Sequence, residues 1–381
     1  MTALPFDAPL SAYEEQAAAL LAGWTAGDAD AIRVFRNRHP AFLDHDIPWL
    51  ERRMTDAEVR AVTIDRDAAR LAVARWYEFA DWRRLSEYVD AVRQPGPVAR
   101  FERAVEAVID GDITTLARLV REHPEVIRAR STRVNNFDPP VHRATLLHYL
   151  AANGVEGHRQ RSPTNAVAIA RLLLDAGADP NALSSAYGGQ CTTLALLVSS
   201  SPTAEAGTQM PLVEALVTSG ASLEPAGTGQ WTSPLATALV FGFNATAEAL
   251  VRLGAKVDNV AVAAGLGRMD DVTRLLPSAS TEDRHRALAL AAQLGHPDIV
   301  TLLIEAGEDP NRFNPPGTHA HTPPLHQAIA ADHLDVVTVL VDNGARLDIK
   351  DTIYQSSPLG WAEYLGKPAI AEYLRGRGAP R

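Results

Sequence analysis

With 381 residues, 46% of them hydrophobic and 22% charged, the chain has the composition of a folded protein and not of a disordered one. A net charge of −10 argues against broad electrostatic capture of nucleic acid or of an anionic membrane. A single cysteine, Cys191, excludes an internal disulfide framework and any multi-cysteine metal site, and fits a reducing compartment.

The N-terminus has no basic segment followed by an apolar run, and no apolar stretch reaches the ~20 residues needed to cross a bilayer. The expected location is the cytoplasm. Tyr13 to Trp24 has helical apolar spacing and strong helix formers. Asp28 to Arg38 predicts a second helix, stopped by His39-Pro40. Asp65 to Phe79 predicts a third and Asp81 to Val92 a fourth, with Trp82, Leu85, Tyr88 and Val89 on one face. Gln94-Pro95-Gly96-Pro97 then breaks the pattern.

From Phe101 onward a helix-turn-helix unit recurs. Its first helix opens on Thr or Ser followed by Pro or a substitute, which satisfies free N–H groups. Its second helix ends in Gly, which supplies a left-handed C-cap. The Leu-Leu or Val-Leu pair before that Gly cannot be buried within one unit, so the units must stack. Copies begin near residues 101, 143, 189, 230, 259, 284, 321 and 356. The clearest runs from His321 to Asp348 (HTPPLHQAIAADHLDVVTVLVDNGARLD), where Asp332-His333 closes the first helix in place of the usual Gly.

That copy resembles an ankyrin repeat, whose period is about 33 residues with a T-P-L-H-x-A motif. The resemblance implies an all-α ankyrin-repeat solenoid of about eight units with hairpin loops over residues 98–381. Residues 1–97 would then form a helical capping module. LAVARWYEFADWRRLSEYVDAV resembles a helical module found ahead of ankyrin repeats in many bacterial proteins, which makes Trp76, Tyr77, Phe79 and Trp82 packing residues of the cap. Leu146 to Gln209 resembles a bacterial ankyrin subgroup, with LLHYLAANGVEGHRQ, YGGQCTT and PTAEAGTQ as its marks.

In this family the hairpin tips and the exposed side of each first helix line a concave surface. The matching positions here are His142, Asn153, Tyr187, Gln190, Gln230, Trp231, Phe241, His319, His321, Tyr354, Gln355 and Tyr364. This set is aromatic, His- and Gln-rich and almost uncharged, as suits a recognition surface. The expected activity is non-enzymatic binding of a protein partner by a monomer, without cofactor, nucleic acid or membrane.

The alternative is a small-molecule-binding or catalytic pocket formed by the concave groove and two insertions, 155–165 and 199–209. If the chain were an enzyme, Glu156 and His158 would be its acid and base, and Arg159 its anion-binding group. The bland expectation for 153–161 is a solvated surface turn. His319-Ala320-His321 lacks a third ligand at fixed spacing, so no metal site is expected. His148 and His326 fall at the repeat's structural His position. Cys191 is expected to be a semi-buried thiol and not a nucleophile. The fifth copy, NVAVAAGLGRMDDVTRLLP, lacks a hairpin before its first helix. Departures from the repeat pattern concentrate between Val141 and Trp231.

Overall fold

The computed structural model describes residues 1–380. The chain divides into two compact units, Met1–Ala221 and Ser222–Arg381.

The first unit opens with five helices: α1 (Leu10–Ala26), α2 (Ala29–Arg38), α3 (Asp56–Ala61), α4 (Arg66–Trp76) and α5 (Trp82–Arg93). Asp28, Asp65 and Asp81 cap α2, α4 and α5 by accepting the N–H three residues on. The helix expected over 65–79 stops at Trp76, and α3, with its Thr55–Glu58 capping box, is an element the sequence reading lacked. These helices bury a core of their own around Phe35, Phe42, Val73, Tyr77, Phe79 and Leu85, and Trp76 and Trp82 pack against it.

Three helix pairs complete this unit. The first is α6 (Pro97–Asp110) with α7 (Ile113–Glu122), and the second is α8 (Leu146–Leu150) with α9 (Ala166–Asp175). A hairpin of β1 (Leu183–Ala186) and β2 (Gly189–Thr192) precedes α10 (Thr193–Leu197), in the register Leu183↔Thr192 to Ala186↔Gly189. The expected loop at 199–209 holds a further short helix, α11 (Ser201–Glu205), before α12 (Gln209–Thr218) closes the third pair.

The second unit contains five pairs: α13 (Pro234–Val240) with α14 (Asn244–Arg252), α15 (Val260–Gly265) with α16 (Met269–Leu275), α17 (Thr281–Leu294) with α18 (Pro297–Glu305), α19 (Pro324–Ala330) with α20 (Leu334–Asp342), and α21 (Pro358–Tyr364) with α22 (Pro368–Gly376). Pro opens α13, α19 and α21, where a missing N–H costs nothing. Gly254, Gly307 and Gly344 leave the outer helices at φ of +109°, +97° and +88°, a region that side chains resist. Asp332 takes the same region at φ +68°, at the place where Gly295 ends α17. One apolar core runs through this unit from Val240 to Leu374. The eight units expected from the sequence are eight helix pairs.

Candidate functional site

In the first unit the 153–161 insertion is not a solvated turn. It folds inward as a short 3-10 turn, Gly157–Arg159, and Glu156 and Arg159 are 0% and 2% exposed. Inward folding follows from what surrounds it. Glu102 and Glu106 lie one turn apart on α6 and face the guanidinium, at 2.7 and 3.0 Å from Arg159 Nη2. Tyr88 of α5 donates to Glu102 Oε2 at 2.9 Å and accepts from Arg159 at 3.1 Å. Arg133 lies 3.4 Å from Glu156 Oε1, with its guanidinium 3.9 Å above the Phe79 ring, and donates to the Tyr77 carbonyl. His142 Nδ1 accepts the Ala144 N–H at 3.1 Å, so Nε2 carries the proton and donates to Glu156 Oε1 at 2.9 Å. Glu78 accepts the Gly157 N–H at 2.6 Å.

The electrostatics follow from this crowding. Burial alone would raise the Glu156 carboxyl, but His142 and Arg133 outweigh it and hold it well below the usual carboxylate range. Burial, with Arg133 and Arg159 nearby, pulls His158 down to about 2, so its ring is neutral at physiological pH. Glu78 has no guanidinium in ion-pair contact, and burial pushes it up to about 7. Glu156 and Arg159 are therefore engaged in charge compensation inside the fold, while the neutral His158 ring stacks on Trp76 at 6.1 Å and lines a cavity with Tyr77. His142, assigned to the concave surface, is 2% exposed and belongs to the same network.

The other sequence candidates fall into three groups. Asn153 donates to the Leu196 carbonyl and to Ser199 Oγ and accepts from the Tyr187 hydroxyl, so it joins consecutive pairs while the Tyr187 ring remains 57% exposed. Gln190 is exposed beside it on β2. Ser162 meets Thr208 at 2.7 Å, so the two insertions do touch.

In the second unit, exposed Gln230 precedes half-buried Trp231, whose ring lies 5.1 Å from that of Phe241. His319 Nε2 donates to the Val240 carbonyl at 3.1 Å, and burial lowers its pKa, so it is partly structural. His321, Tyr354 and Trp361 form a ring cluster. Buried Asp351 organises it by accepting from Trp361 Nε1 at 3.0 Å and from the N–H groups of Ile353, Tyr354 and Ser356. Gln355 is exposed, and Tyr364 is 90% exposed at the end of α21.

Burial pushes the Cys191 thiol up to about 11, and His148 is driven down to about 3 in a fully buried position where Nδ1 accepts the Thr145 N–H. Among the described residues no group of three His, Cys, Asp or Glu stands close enough to hold a metal ion, and no helix is long and apolar enough to cross a membrane. Sequence reasoning missed Glu102, Arg133, Trp361 and Phe137, which is 43% exposed in the segment between α7 and α8. The one local sign was Glu102 itself, an acid on the apolar face of α6 beside Phe101 and Val105.

Paired helices that bury small apolar faces against the next pair, joined by hairpins, define a repeat protein of the helix-turn-helix class. The family description "Ankyrin repeats (3 copies)" matches residues 260–351, and "Ankyrin repeat" matches 142–185. Cyclin-dependent kinase inhibitor 2A of Homo sapiens is 34% identical over 123 residues, 31% of this chain and 76% of that protein. Cyclin-dependent kinase 4 inhibitor B of Homo sapiens is 32% identical over 32% of this chain and 88% of its own length. Ankyrin repeat and SAM domain-containing protein 6 of Mus musculus is 32% identical over 29% of this chain, but only 12% of that protein is spanned. The crystal structure of the human ASB11 ankyrin repeat domain aligns with 73% of this chain and 98% of its own at 21% identity, with a TM-score of 0.38. The chain belongs to the ankyrin-repeat family.

Proposed function

We propose that this chain is a non-enzymatic binding protein that recognises a protein partner through its hairpin tips and the exposed ends of its first helices. One observation carries the reading. Nearly every hairpin presents an aromatic or imidazole ring: Phe137, Tyr187, Trp231, the His319–His321 pair and Tyr354. Aromatic anchors with uncharged hydrogen-bonding neighbours such as Gln190 and Gln230 suit protein recognition. Burial and ion pairing of Glu156 weigh against the catalytic alternative. The kinase-inhibitor relatives, whose names describe action on another protein, support the same class. A cytoplasmic monomer of the bacterial ankyrin subgroup, capped by residues 1–97, completes the reading.

The test is a quantitative pull-down from lysate of the source cells with the full chain and with Tyr187→Ala and Tyr354→Ala. A protein retained by the native chain and lost from one variant supports the reading. Equal recovery by all three overturns the assignment of the tips.

A second reading rests on a cavity of about 420 Å³ in the first unit, lined by Leu4, Phe6, Tyr13, Tyr77, Arg133 and Arg159. Its size suits a small ligand, and it lies toward the N-terminal helices, not under the 199–209 segment. Arg133 and Arg159 already face Glu102, Glu106 and Glu156, and Arg161, which also lines it, faces Asp110, so a neutral polar molecule fits better than an anion. Thermal-shift screening of neutral polyols and amides against native chain and Tyr13→Phe would show a stabilisation absent from the variant, and no shift with any of them would rule it out.

A further inference from the structure

The fifth helix pair lacks a hairpin, and its absence leaves a notch in the second unit. Gly254 passes through only four residues, Ala255 to Asp258, before Asn259 caps α15 by accepting the Val262 N–H at 2.9 Å. The pair before it has a turn closed by Ala226 N–H on the Thr232 carbonyl, which presents Gln230 and Trp231. In the pair after it, α17 is 14 residues long, twice the length of α13 or α19. The extra turns carry Asp283 and Arg286. Arg286 donates to the Pro316 carbonyl at 3.1 Å, tying the tip of the following hairpin to α17.

These elements enclose about 430 Å³, within the range of ~300–1,000 Å³ typical of ligand pockets. The walls include Trp231, Val240, Val262, Leu290 and Pro316. Two features say what fits. The only charged lining residues, Asp283 and Arg286, pair with each other at 3.3 Å, and Arg286 also bonds Glu282 at 2.8 Å. The notch therefore presents no uncompensated charge, and a charged side chain entering it would lose water without gaining a partner. Thr237 also lines it. That residue is 2% exposed, and its hydroxyl has no hydrogen-bond partner among the described residues. A buried hydroxyl left unpaired costs about 1–3 kcal/mol, which a ligand supplying an acceptor or donor would recover.

We propose that the notch between the Gly229–Trp231 turn and α17 is the anchoring site for an extended, uncharged segment of the partner protein. A bulky aliphatic or aromatic side chain of the segment fills the apolar space, and a polar backbone group meets Thr237 Oγ1. The proposal rests on the reading of the chain as a protein-binding module and locates the anchor where a repeat has lost its hairpin.

The probe is a phage-displayed library of random heptapeptides, selected on the full chain, with enriched peptides resynthesised and titrated by fluorescence anisotropy. Uncharged peptides with a bulky apolar residue should be enriched. Their affinity should fall about tenfold in Trp231→Ala and about fivefold in Thr237→Val, while Trp49→Ala, which removes an exposed ring outside the hairpins, leaves it unchanged. Thr237→Val nearly preserves shape, so it reports even where Trp231→Ala lowers the melting temperature. Enrichment of charged peptides, or affinities unmoved in both notch variants, overturns the proposal. Peptides that respond to Tyr187→Ala or Tyr354→Ala alone remove the notch but leave the broader reading standing. Binding of N-acetyltryptophanamide with no enriched peptide makes the notch a small-molecule site and overturns the partner assigned here. A library that yields nothing also overturns it, and the lysate experiment then judges the broader reading by itself.

Discussion

The second and fifth helix pairs depart from the repeat in opposite directions, and the outcomes differ accordingly. The second gains residues in the turn between its helices. Added side chains must be hydrated or buried, and here α5 and α6 present Tyr88, Glu102 and Glu106 to them, so the insertion becomes an ion-paired interior. The fifth loses its hairpin. A deletion takes away atoms but leaves its neighbours, so it leaves space without unpaired charge, lined by Trp231, Thr237 and Leu290. An insertion in this chain has made core, and a deletion has made surface.

The comparison can be broken most forcefully at Arg159. Arg159→Met should cost about 3–5 kcal/mol, because Glu102 and Glu156 would remain buried with too little positive charge. Urea denaturation of the full chain measures it, and a second change, Glu102→Gln, should restore part of the loss. A cost below about 1 kcal/mol would mean that the network is hydrated and not core.

The second unit also buries a carboxylate, Asp351, but satisfies it with N–H donors in place of cations. Asp351→Ala should cost about 2–3 kcal/mol. That loss should change little with salt, and a strong salt dependence would contradict the neutral-donor description.

Glu78 sharpens the contrast through pH. Its folded pKa of about 7 lies above the ordinary 4.5, so between those values the native state holds a proton that the unfolded chain has released. Its contribution is full below about 4.5, is lost as pH rises toward 7, and stays lost above. Glu78→Gln keeps an acceptor for Gly157 without the buried charge. It should exceed the native chain by up to about 3 kcal/mol at pH 8 and match it near pH 4. Glu156 raises this pKa while Arg133 and Arg38 lower it, so the crossing point reports the balance among them. The smallest expected effect is at Tyr187. Tyr187→Ala should alter stability by no more than about 0.5 kcal/mol, and a larger drop in melting temperature would make its hydrogen bond to Asn153 structural.

What could be read from the sequence tracks locality. Helix starts at Asp28, Asp65, Asp81 and Ser233 were legible because a cap bonds a backbone group three residues away. The missing hairpin before Val260 was legible as a count of residues. The fate of 153–161 was not. Asn-Gly-Val-Glu-Gly-His-Arg-Gln-Arg has the polarity of a surface turn, and nothing within it shows that Glu102, 57 residues away from Arg159, stands opposite. His142 was misplaced for the same reason, because its partner Glu156 is supplied by a turn in the next part of the repeat.

The sequence by itself determined the helix pairs, their caps and the need to stack, because those follow from spacing and from bonds that close within one turn. Only the tertiary structure decided which polar residues became interior and which gap became a notch. Burial and charge compensation depend on groups brought together from distant positions, and residue spacing does not encode their distances.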